Sequence, residues 1–204
     1  RRAARGAGSE VTMSIRLRAA SAWMPRFLMA REVDRIRART NEALDALLSE
    51  NMLEVPEDEV GGANLEERRK AMALDQRRRV EALVDGLGHE RAVELVRETL
   101  YRTGQELGRD ARARLGVEGG KDDLLMAALV IYRILGIEFT VSGEVLEVRR
   151  CALSEHYSPD TCLVLSAVDE GVVSGLSPRA RMRFEKRLAD EYPMCVARIS
   201  LEEA

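Results

Sequence analysis

The chain has 204 residues, 46% of them hydrophobic, 33% charged and only 4% aromatic, with a formal net charge of -3. A chain of this size can bury a core without disulfide staples, and its longest apolar run, Leu124 to Tyr132, is about half of the ~18 residues that a membrane-crossing helix needs. These figures exclude a disulfide-built scaffold and a membrane-spanning role, and an odd count of three cysteines adds to the expectation of a cytoplasmic protein.

Residues 1–12, rich in Arg, Ala, Gly and Ser, read as a disordered tail, with Met13 as a natural start. Charge is uneven. Residues 1–40 hold ten arginines against Glu10, Glu32 and Asp34, about +7 by count, which leaves about -10 for the rest. No zinc finger, RNP-type or helix-turn-helix signature accompanies the arginines, so neither nucleic acid nor membrane is expected as a partner. Trp23, Met24, Phe27, Leu28 and Met29 form an apolar patch, which suggests a homo-oligomer joined through the N-terminal helix.

From Val33 to Leu48 apolar residues recur at helical spacing, and after a loop through Pro56, Gly61 and Gly62, Asn64 caps a charged helix to about Leu87 that is expected to be mostly wet. This completes an N-terminal helical region over residues 13–88, followed by a small-molecule or metal-binding domain over residues 89–204. His89 opens the next helix, in which Gly104 and Gly108 stand four apart and let another backbone approach closely. Leu124 to Leu135 is the candidate for the central core helix.

At Gly136 the period changes. Ile137, Phe139 and Val141 alternate with polar residues, Ser142-Gly143 supplies a two-residue turn, and Val145 to Val148 returns as a second strand, pairing Phe139 with Leu146 and Ile137 with Val148. In this register Cys151 falls on the more polar parity. Cys162 begins a helix, Ser177 or Pro178 begins another, and a last strand lies around Val196. The fold class is α+β: a helical N-terminal half packed on a small antiparallel sheet with C-terminal helices.

The chemistry-bearing residues are C-terminal. Thiolates are soft donors, and Cys151, Cys162 and Cys195 could supply three ligands to zinc if the fold brings them together, although no Cys-x-x-Cys is present. With an open fourth position, zinc would lower the pKa of a bound water. Glu185, Asp169 and His156, in that order, are the candidates for moving protons. Without metal, Cys162 near a helix N-terminus, where a thiol pKa is lowered, could act as a nucleophile.

The stretch with Cys151, Cys162, Asp169, Gly175, Leu176, Pro178, Phe184-Glu185 and Cys195 resembles the L-2-amino-thiazoline-4-carboxylic acid hydrolase-like family. More distantly, residues 90–200 are similar to 4-vinyl-reductase-type small-molecule-binding domains. The second resemblance implies a zinc held by cysteines and a glutamate, with Cys162, Glu185 and Cys195 as its ligands; Leu188 stands where a further cysteine of that pattern is expected. The first resemblance implies a small-molecule hydrolase that opens a cyclic C-N or C-S bond of amidine type. The alternative is a non-catalytic small-molecule sensor with a structural cysteine-zinc site, its ligand lying between the Leu124–Leu135 helix and the hairpin.

Overall fold

The structure is a computed structural model that describes residues 14–118 and 120–201; the tail expected over residues 1–12 and Met13 lie outside them. Among the described residues six α-helices precede and interleave with one four-stranded antiparallel sheet, in agreement with the α+β reading. They are α1 (Ile15–Ala22), α2 (Arg26–Glu50), α3 (Leu65–Leu87), α4 (His89–Leu115), α5 (Lys121–Leu135) and α6 (Pro159–Leu176). The strands are β1 (Ile137–Ser142), β2 (Val145–Cys151), β3 (Ala180–Lys186) and β4 (Cys195–Leu201), in the order β1-β2-β4-β3. Among the described residues no helix is long and apolar enough to cross a membrane.

Local chemistry sets the helix ends. Asn64 accepts from the Glu67 N–H while the Glu67 side chain accepts from the Asn64 N–H, a closed capping box at the start of α3. Ser158 accepts from the Thr161 N–H, and Pro159 fills the first turn of α6, where its missing N–H costs nothing. Gly136 ends α5 in the left-handed region at φ 72°, and Arg69 from α3 donates to the freed carbonyls of Arg133 and Ile134, both at 2.8 Å.

Two apolar clusters form the interior. One joins α1, α5 and the sheet through Leu17, Leu124, Val130, Leu146, Met182 and Ala197. The other joins α2, α3 and α4 through Leu44, Leu48, Val80, Val96 and Leu100. Helix α6 belongs to both, giving Val164 and Leu165 to the second and Val173 and Leu176 to the first. It is α6, not α5, that forms the centre of the fold. Small residues permit this: α6 and α4 make the most extensive contact between any two elements, crossing at Gly104 and Gly108 on one side and Gly171 and Gly175 on the other. A methyl group on any of the four would collide with a carbonyl oxygen of the facing helix.

Three details differ from the sequence expectation. Helix α3 is not mostly wet, because Asp75, Gln76 and Arg79 are buried against α2. Residues after Ser177 form strand β3, whose alternation of buried Ala180, Met182 and Phe184 with exposed Arg181 and Arg183 has period two. In the hairpin the turn is Gly143-Glu144, one residue later than expected, with Gly143 at φ 62°, which glycine adopts without strain. Phe139 therefore pairs with Val148, not Leu146, and Ile137 pairs with Cys151, not Val148. The register shifts between Glu138 and Phe139 opposite the extra residue Arg149, so Arg149 and Arg150 both face out. That bulge returns Cys151 to the core side.

Candidate functional site

Cys151 at the end of β2, Cys162 in the first turns of α6 and Cys195 at the start of β4 are separated in sequence but line one chamber of about 80 Å³. Tyr132, Tyr157, Asp169, Phe184 and Arg187 share its wall. All three cysteines are free. Tyr157 is held in place from the helical half, since its hydroxyl donates to Gln76 Oε1 while Gln76 Nε2 donates to Thr40 Oγ1 at 2.8 Å. The Leu188 N–H donates to Cys195 Sγ at 3.2 Å, which fixes that sulfur.

A second chamber of about 260 Å³ lies between α5, α6 and the sheet, where the apolar ligand site was expected. Leu124, Ile131, Phe139, Leu146, Val172 and Met182 are among its lining residues. Among the described residues Tyr132 and Asp169 alone belong to both chambers, so this pair forms the partition between them.

Asp169 is the unusual group. Burial, with the neighbouring Glu170 charge adding to it, pushes its carboxyl up to about 7. Glu170 is satisfied: it receives Arg97 Nη2 at 2.8 Å and the Phe184 N–H at 3.3 Å, tying α4, α6 and β3 together. Among the described residues no hydrogen bond reaches the carboxyl of Asp169, although it lies one residue away. Arg187 lines the same thiol chamber, with Nη1 3.5 Å from Asp190 and a buried Nε that has no partner among the described residues. Buried polar groups without partners are uncommon and need a reason.

The thiols are not activated. Burial raises Cys151 to about 11 and Cys162 to about 12, and it raises Cys195 as well, with Arg187 opposing the rise at Cys162 and Cys195. This reverses the lowered pKa expected for Cys162: desolvation outweighs the helix terminus. At pH 8 the folded chain is expected to react with a thiol reagent about 100-fold or more slower than the same chain in denaturant. A labelling time course followed by mass would check this, and rapid labelling of Cys162 in the folded chain would contradict it.

The other expected site residues stand elsewhere. Glu185 is on the outer side of β3 and accepts Arg198 Nε at 2.6 Å. His156 lines an open polar groove with Glu155, Arg69 and Arg150. Of the three proton-moving candidates only Asp169 joins the cysteines. Sequence reasoning missed Arg187, Tyr132 and Tyr157; their one signal was closeness to the flagged residues along the chain or on the apolar helix.

Three thiols and a carboxyl are donor types that zinc accepts. Among the described residues, however, no three His, Cys, Asp or Glu side chains are grouped so as to hold a metal ion, so the donors as they stand do not fit one. Comparison of the chain with protein-family models and with curated proteins gives no match.

Proposed function

We propose that this chain acts on a small molecule at the partition between the two chambers, as a hydrolase opening a cyclic C-N bond of amidine type with Asp169 as the proton-transfer group. The supporting observation is a carboxyl at the wall shared by the two chambers that has no hydrogen bond among the described residues and that burial pushes up to about 7. A group with pKa near the working pH both takes and returns protons. In the reaction, Asp169 removes a proton from water as its oxygen bonds to the amidine carbon. The C=N π electrons pass to the ring nitrogen, which takes the proton that Asp169 holds. Asp169 then takes the hydroxyl proton as the carbonyl forms and the ring C-N bond breaks, and returns it to the nitrogen, which leaves as an amine. Arg187, on the wall of the thiol chamber, would pair with an anionic group on the same substrate. The three free thiols accord with a cytoplasmic setting.

Asp169→Asn is expected to lower the ring-opening rate on a 2-aminothiazoline carboxylate by about 100-fold or more. A variant with the parent's rate removes Asp169 from the mechanism. A parent that binds such a compound without turnover leaves the second reading, a sensor, which the protonated and unreactive thiols favour.

The same substitution has a stability signature. The folded chain holds the Asp169 proton more tightly than the unfolded chain, so this group's stabilising contribution is complete below pH about 4 and is lost as pH rises through about 7. Asp169→Asn is therefore expected to be more stable than the parent at pH 8, by about 2–3 kcal/mol, and to show no gain at pH 4. Urea unfolding at the two pH values measures this.

Convergence of Cys151, Cys162 and Cys195 on one chamber favours a structural zinc as a second reading of the thiols, which would require their side chains to rotate together. Element analysis tests it: about one zinc per chain, lost on Cys162→Ser, supports that reading, and none removes it.

A further inference from the structure

The N-terminal end of the fold exposes several large apolar side chains. Trp23, the only tryptophan, is 73% exposed, Phe27 is 71% exposed and Ile15 83%, with Leu28 beside them at 39%. Trp23, Phe27 and Leu28 fall within six residues where α1 gives way to α2, and exposed apolar side chains clustered in this way mark a contact surface. Arg16, Arg18, Arg26 and Arg31 are all exposed within the same segment, and residues 14–31 contain no acid. Among the described residues none of these four arginines is in an ion pair. Elsewhere arginines are commonly matched, as in Arg35 with Asp110, Arg39 with Glu106, Arg114 with Glu32 and Arg198 with Glu185. The nearest acids across the groove beside Phe27 are Asp34 and Glu66, and Asp34 is already paired with Arg68.

We propose that α1 and the first turns of α2 are a peripheral docking surface for an anionic lipid bilayer, with Trp23 and Phe27 entering the headgroup boundary and the four arginines meeting lipid phosphates and carboxylates. Charge complementarity chooses this occupant. A second copy of the chain docked patch to patch would set arginine against arginine. A nucleic acid would use the arginines but leave Ile15 and Leu28 in water. Tryptophan at the interface, aliphatic and aromatic side chains beneath the headgroups and arginines among them is the arrangement an anionic bilayer surface favours. The contact is superficial, in keeping with the lack of a spanning helix among the described residues.

Because Trp23 is the only tryptophan, its emission reports on this surface alone. The chain is titrated with vesicles of phosphatidylcholine and with vesicles containing about one third phosphatidylserine. The expected result is a blue shift and co-sedimentation on the anionic vesicles, about 10-fold stronger than on neutral ones and largely lost in ~0.5 M salt. Arg16→Gln with Arg18→Gln should weaken the shift. Phe27→Ser with Leu28→Ser should abolish co-sedimentation while leaving the circular dichroism unchanged. Emission unaffected by anionic vesicles overturns the proposal. So does a blue shift that appears with protein concentration alone, which assigns the patch to a second copy, or one that appears only with a single-stranded oligonucleotide.

Discussion

Gly171→Ala is expected to cost about 3 kcal/mol or more of folding stability, and Gly171→Leu to abolish the native packing. A Cβ at position 171 would meet the Tyr101 carbonyl oxygen, with the Gln105 nitrogen and Gly104 Cα close behind. These are backbone atoms in the middle of α4, and no rotamer change moves them aside. The two helices would have to separate, which would loosen the contact that ties the helical half to the α6 side of the sheet. Opposing the loss is only alanine's better helix propensity, about 1 kcal/mol. Gly120→Ala is the control: its φ of -69° suits any residue and nothing lies within 4 Å of the added methyl, so a change within about 1 kcal/mol is expected there. Urea midpoints for the two variants compare them directly, and equal midpoints would show that the crossing has room to spare.

Asp75→Ala is expected to destabilise the chain by about 3–5 kcal/mol, because it strips the acceptor from a buried charged network. The Asp75 side chain is fully buried. It accepts Arg37 Nε at 2.6 Å, the Glu59 N–H at 2.7 Å, and Asn41 Nδ2 and Arg78 Nη2 each at 3.1 Å. One turn on, Arg79 donates to Asp45 at 2.6 Å and Asp58 at 2.7 Å, fastening the loop after α2 to α3. Burial alone would raise the Asp75 pKa, but hydrogen bonds from the Glu59 backbone, Arg37 and Asn41 prevail and hold it below its ordinary value. A lowered folded pKa gives stability that is present above the unfolded pKa, near 4, and is lost as pH falls through the folded value. The parent should therefore lose stability below pH about 4, and Asp75→Ala should lose less over the same range, as thermal unfolding between pH 3 and 7 would show.

Much of the architecture could be read from residue pattern. Asn64 announces its helix because a cap is local, and the same holds for the Gly104–Gly108 spacing; the start of α6 at Ser158-Pro159 reads as loop in the sequence, with the helix expected from Cys162. The hairpin was legible as a hairpin, but its register was not, since it depends on where one glycine with positive φ sits and on a bulge at Arg149 that only sheet pairing reveals. Strand β3 was hidden by Pro178, which begins helices often enough to mislead, although Ala180 to Phe184 alternates plainly. For the site, residue type singled out the cysteines and Asp169, but not their environment. A surface helix and a buried helix can carry the same Asp-Glu pair. Whether Asp169 or Glu185 shares a chamber with the thiols is decided by helix packing and strand pairing between residues far apart in the chain, and the unsatisfied Nε of Arg187 becomes conspicuous only when its surroundings are known.

The glycine crossing also bears on how such a site could change over time. Asp169 and Cys162 ride on the helix whose other face is pressed backbone to backbone on α4, so their positions are fixed by contacts in which side-chain identity has almost no say. The opposite wall, made by α5 and the hairpin, touches α6 far less. Mutations at Leu124, Ala128, Phe139 or Val141 can reshape the larger chamber while the acid and the thiol stay where they are. Substitutions that change the shape of the larger chamber are therefore confined to one side, while the positions of Asp169 and Cys162 are held by the other.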